Sequence, residues 1–191
     1  MDDDLASCLV STVVDFQMHA TAVGRALAFF ADARPDGLSR VTDLTPYLGR
    51  FPDDEAGNKT LARSLTGAEL WTRFGLLRSL VDFLESIGID DLEGLRSWAL
   101  GADFHRDFEA RVRDVAGGRT YGLGPAVFNW LVMRLGVETV KPDVRLRRFV
   151  GGAIGRTVSD PEIVESVTCI ATPLGLSPRT LDWSIWEAGA C

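Results

Sequence analysis

The turn Gly122-Leu123-Gly124, followed by Pro125, leads into an apolar run from Ala126 to Leu135. Two glycines and a proline at the first helical position make a tight hairpin whose amides stay free at a helix start, where partial positive charge favours a phosphate oxygen. Nineteen residues after Gly124 stands Asp143, between Pro142 and a basic stretch carrying Arg145, Arg147 and Arg148. A carboxylate held at such a site can stabilise a developing cation and can position or deprotonate water. The same aspartate is suited to capping the helix that follows, and the two roles can coexist. Gln17 is the third element, a polar side chain interrupting the stripe Leu9, Val13, Phe16 and Ala20.

These segments resemble the helix-hairpin-helix, Gly/Pro-rich-loop-then-Asp (HhH-GPD) superfamily of DNA glycosylases. In that superfamily a loop of the type L-P-G-x-G-x-x-T-A precedes V-D-T-H-V-x-R. The corresponding stretches here are Tyr121-Gly122-Leu123-Gly124-Pro125-Ala126-Val127-Phe128 and Pro142-Asp143-Val144-Arg145-Leu146-Arg147-Arg148. The two glycines, the aspartate and Arg148 match, and Arg145 stands where the family pattern has His. Val13-Val14-Asp15-Phe16-Gln17 is similar to the family's helix ending in L-L-S-x-Q, whose glutamine enters the space vacated by the flipped base. The resemblance is specific over residues 118–150, extends to 9–30 and 181–186, and is absent from 34–66.

The resemblance implies an all-α, two-lobed HhH-GPD glycosylase-like fold, formed by residues 1–191 as one domain, in which helix 5–30 and helices 160–187 pack together. It implies duplex DNA as partner, Asp143 as the catalytic carboxylate, and DNA contacts from Gln17, Gly122, Leu123, Gly124, Arg145 and Arg148. Members that also cut the strand use a lysine just after the hairpin to form an imine with the sugar. That position is Ala126 here, and the two lysines of the chain, Lys59 and Lys141, fall elsewhere. The implied activity is that of a monofunctional glycosylase acting on a modified or damaged base. A catalytically silent DNA-binding module of the same fold is the alternative, and an unrelated helical scaffold that binds protein is a third reading.

Three cysteines, Cys8, Cys169 and Cys191, are too few for a four-thiolate iron-sulfur cluster and show no metal-binding spacing. No cofactor or metal is therefore expected, with room left for a monovalent cation at the hairpin carbonyls. A net charge of -7 argues against a nucleic-acid partner for the chain as a whole. Its distribution argues otherwise: residues 106–156 hold 10 basic and 5 acidic side chains, and they contain the motif. Hydrophobic residues at 46% and charged ones at 25% are those of a globular protein with a core. The longest apolar runs, such as Ala26 to Ala31, are far shorter than a membrane span, and the opening Met1-Asp2-Asp3-Asp4 lacks the features of an export signal. No membrane association and a cytoplasmic location are expected.

Eight to ten helices are expected to position these residues. Periodicity predicts one helix over Leu5 to Phe30. The prolines and glycines of 34–60 predict loops there. Thr66-Gly67-Ala68-Glu69 reads as a capping box opening a helix that runs to about Ile87, where Gly88 stops it. Further helices are expected from Asp91, over Phe104 to Val115, Pro125 to Leu135, Asp143 to Ile154, Pro161 to Ala171 and Ser177 to Trp186. Five tryptophans, by helical phase, are expected to be mostly core anchors.

Overall fold

Asp4 accepts the Ser7 amide at 2.8 Å and so starts the first helix. In the computed structural model, which describes residues 3–15, 18–115 and 122–188, the pattern repeats along the chain. Among these residues there are eleven α-helices, a π-helical turn and a short 3-10 turn, with no strand. The all-α class expected from the sequence is observed. The chain divides into two compact units, Met1–Leu123 and Gly124–Cys191. No described helix is long and apolar enough to cross a membrane.

The first unit is built around α5 (Trp71–Ser86), which packs against α1 (Leu5–Val14), α3 (Val41–Leu48), α4 (Glu55–Thr66) and α7 (Ala110–Val115). Phe74, Leu76, Leu77, Leu80, Val81, Phe83 and Leu84 bury this helix on all sides, as expected of a central rather than an amphipathic helix. α2 (Ala20–Ala33) packs on α1 and α4, and α6 (Leu92–Ala99) on α1. Between α6 and α7 lies the π-helical turn Phe104–Glu109, whose Phe108 stacks edge-on against Phe83.

Three expectations fail in this unit. The helix predicted over Leu5 to Phe30 is two helices, α1 and α2. α1 is buried on every face, whereas α2 buries only Val23, Ala26 and Phe30, so a uniform period concealed a change of environment. The predicted loops of 34–60 contain all of α3 and the start of α4. Pro46 sits inside α3, where burial of Val41, Leu44 and Leu48 outweighs its missing amide. Gly57 lies in the first turn of α4 because an ideal Cβ there would come within 2.0 Å of the Pro52 carbonyl oxygen. The buried Arg78 ties the same segment down, donating to Asn58 Oδ1 at 2.8 Å, the Leu48 carbonyl at 3.0 Å and the Phe51 carbonyl at 2.9 Å. Finally, Thr66 ends α4 instead of opening α5. Gly67, at φ +68°, stops the helix, the Thr66 hydroxyl donates to the Ala62 carbonyl at 2.7 Å, and Glu69 pairs with Arg63.

The second unit holds α8 (Pro125–Arg134), α9 (Val144–Ile154), α10 (Asp160–Ala171) and α11 (Pro178–Ala188). α9, α10 and α11 pack pairwise around Val140, Leu146, Val150, Val158, Ile163, Val167 and Ile185. Each of these helices starts on a readable signal. Pro125 stands at the head of α8, Asp143 caps α9, and Ser159 with Glu162 forms a capping box for α10. The Arg156 guanidinium, with the Ser159 amide and hydroxyl, pulls the Glu162 carboxyl down to about 2. The tryptophans depart from expectation. None is fully buried, and Trp183 is 57% exposed.

Candidate functional site

The hairpin is formed by a left-handed glycine followed by a helix entry. Gly122 takes φ +80°, which a side chain would strain, while Leu123 is buried. Gly124 is the N-cap of α8 with extended backbone, and its carbonyl accepts the amides of Val127 at 3.0 Å and Phe128 at 3.1 Å. Pro125 has no amide, so the donors left at this end are the N–H groups of Gly124 and Ala126, which have no acceptor among the described residues. A Cβ on Gly124 would meet nothing within 4 Å. Among the described residues nothing blocks the backbone of this turn.

α8 carries Asn129, whose side chain donates to the Pro125 carbonyl at 2.9 Å and accepts the Thr139 hydroxyl at 2.9 Å. This fixes the start of the segment 139–143 against the helix. Lys141 lays its ammonium 4.6 Å from the centre of the Trp130 ring. Its backbone is held from both sides: the Lys141 amide donates to Asp182 Oδ2 at 2.9 Å, and its carbonyl accepts the Asp143 amide at 2.7 Å.

Asp143 is half-buried at the N-cap of α9. One oxygen, Oδ1, accepts the amides of Arg145 at 2.8 Å and Leu146 at 3.1 Å. The capping role anticipated for this residue is observed. Oδ2 has no donor among the described residues, so the carboxylate is anchored by one oxygen and offers the other.

The three arginines that follow have separate fates. Arg145 lies 4.4 Å over the Trp186 ring and donates to the Trp186 carbonyl at 3.1 Å, and Trp186 in turn stacks on Trp183 at 5.4 Å. Arg147 pairs with Asp160. Arg148 is exposed and makes no ion pair among the described residues. Of the residues singled out in the sequence, Gly124, Asp143, Arg145 and Arg148 thus belong to one unit, Gly122 and Leu123 form the last residues of the other, and Gln17 lies outside the described residues.

Asp182 was not foreseen. It sits on α11 with 8% of its surface exposed. Burial pushes its carboxyl up to about 6, the Asp143 charge adds to that rise, and the amide and ammonium of Lys141 oppose it. In the sequence it is one aspartate on an amphipathic helix, between Leu181 and Trp183, and nothing local distinguishes it from a solvated residue. Among the described residues no group of three or more histidine, cysteine or acidic side chains could hold a metal ion.

A family model described as Domain of unknown function (DUF8548) matches residues 3–190, and the chain belongs to that family. No curated protein and no solved structure matches it.

Proposed function

We propose that this protein is a monofunctional DNA glycosylase of two-lobed helix-hairpin-helix type, hydrolysing the bond between deoxyribose and a modified or damaged base in duplex DNA. The observation that carries the reading is the carboxylate of Asp143: its Oδ1 is fixed by two helix amides while Oδ2 is left without a donor among the described residues. Support comes from the amides of Gly124 and Ala126, suited to a backbone phosphate, and from the exposed Arg148, all without a partner among the described residues.

In this mechanism the target nucleotide leaves the stack at a cost of a few kcal/mol, with hairpin amides and arginine holding the backbone. As the C1′–N bond breaks, its electron pair goes to the base, and the cationic sugar forms beside the Asp143 carboxylate. Water then bonds to C1′ and gives its proton to that carboxylate, which releases it to solvent. The departing base takes up a proton in its turn. The products are the free base and an intact strand with an abasic site. Ala126 offers no amine for an imine, so no strand cleavage follows.

The test is single-turnover excision on duplexes carrying a panel of lesions, with strand breaks read before and after hot alkali. Breaks should appear only after alkali, and borohydride should trap no covalent complex. Asp143→Asn retains an oxygen for the cap and loses the charge, so DNA binding should persist while excision falls about 10²- to 10³-fold. Full activity in that variant removes the catalytic assignment.

A second reading has its own observations: Asp143 is already employed as a cap, and Arg145, standing where the family pattern has His, is occupied by Trp186. A protein that binds duplex in a salt-dependent manner and excises nothing from the panel would be a binding module of the same fold.

A further inference from the structure

The carboxylate of one aspartate and the backbone of another meet at one peptide of the second unit. The amide of Lys141 donates to Asp182 on α11, and the carbonyl of Lys141 accepts the amide of Asp143 at the head of α9. The chain from the Asp182 side chain to the Asp143 backbone runs Asp182 Oδ2, Lys141 N–H, Lys141 C=O, Asp143 N–H. Any movement of the Asp182 carboxylate is therefore passed to the backbone that sets where Asp143 points. Pro142, buried between the two, removes a further degree of freedom from the same turn.

Resting on the glycosylase reading above, we propose that Asp182 is a positioning residue for Asp143, clamping its backbone through the Lys141 peptide and, when ionised, adding a second negative charge behind the catalytic carboxylate. A nearby anion strengthens the field that a developing sugar cation meets, and the clamp keeps that field aimed. Asp182 does not touch the reacting atoms in this scheme. The charged groups acting on it are Lys141, from the loop, and Asp143, from the head of α9. Its midpoint near 6, with burial as the leading cause, makes the second charge depend on pH around neutrality.

The amide of Asp182→Asn keeps an oxygen for the Lys141 N–H and removes the charge, whereas Asp182→Ala removes both. In single-turnover excision at pH 8, Asp182→Asn should be slower by about tenfold with unchanged duplex affinity, and Asp182→Ala slower still. The wild-type rate should rise through pH 6, and Asp182→Asn should lose that limb. A carboxyl ¹³C titration supplies the readout that needs no activity: the Asp182 midpoint should lie near 6 and fall in Asp143→Asn, where the neighbouring charge is gone.

The proposal is overturned by an Asp182 midpoint that does not respond to Asp143→Asn, or by a wild-type rate and pH profile in Asp182→Asn from an active protein. Absence of excision by the wild-type protein on every substrate is a different result. It defeats the glycosylase reading, and the catalytic half of this assignment with it, while the titration still reports whether the two carboxylates are coupled.

Discussion

The two units solve burial in opposite ways. In the first, large side chains from several helices converge on α5, and only Phe29 and Leu100 are large hydrophobics left exposed among its described residues. In the second, a thin core of mostly β-branched residues is ringed by exposed Val144, Phe149, Ile154, Ile170, Leu174, Leu176 and Trp183. The first also holds the deeply buried guanidinium of Arg78 by carbonyls and an amide, a structural use. The second buries Asp182 at the cost of raising its proton affinity, and leaves one oxygen of Asp143 without a donor among the described residues. Burial of large side chains thus dominates the first unit, whereas the two aspartates of the candidate site lie in the second.

Substitutions ranked by their effect on stability can break that contrast. Leu77 is fully buried in the first unit, and Leu77→Ala should cost about 3 kcal/mol in urea denaturation. Ile170→Ala, at an exposed position of the second, should cost under about 0.5 kcal/mol. Equal losses would erase the distinction between the units.

Next in size is Asp182→Asn. The folded protein holds the Asp182 proton more tightly than an unfolded chain does, since the midpoint rises from 3.8 to about 6. The stabilising contribution of that proton is complete below pH 3.8 and disappears as pH rises through 6. Removing the ionisable group should thus stabilise the protein above pH 6, on the order of 2 kcal/mol at pH 8, with no gain at pH 3.5. A stability change independent of pH would show that the carboxyl is not strained by burial.

The smallest effect is expected at Gly124→Asp. The site has room for a side chain and the backbone of an N-cap, so the carboxylate should cap α8 and alter stability by a few tenths of a kcal/mol, in the favourable direction. It would also occupy the amides offered to phosphate. Duplex affinity and its salt dependence should fall together, and unchanged binding by the folded variant would sink the hairpin assignment.

How far the sequence could be read follows the same division. The helices of the second unit begin at Pro125, Asp143, Ser159 and Pro178, residues whose effect on a helix start is local and independent of what packs on it. Most of their bounds were accordingly anticipated to within a residue or two. In the first unit, Pro46 and Gly57 were read as breakers, and their real reasons are tertiary: the burial of α3 and the approach of the Pro52 carbonyl. Thr66 and Glu69 have the spacing of a capping box, yet Gly67 decides the local backbone. Asp143 was legible because a proline and a basic helix flank it. Asp182 was not, because its defining partner is a backbone amide 41 residues away in sequence.

The double employment proposed for Asp143 also bears on how substitutions among relatives of this chain should be read. A cap selects for any short side chain with an acceptor, so drift at this position has a narrow channel, toward asparagine, serine or threonine. Each of these would leave the start of α9 intact while erasing the negative charge. Selection for folding alone would therefore retain a capping residue here, whether or not the proposed excision is kept. A family member with serine or threonine at the position of Asp143 would be a charge-deleted variant worth purifying beside this one.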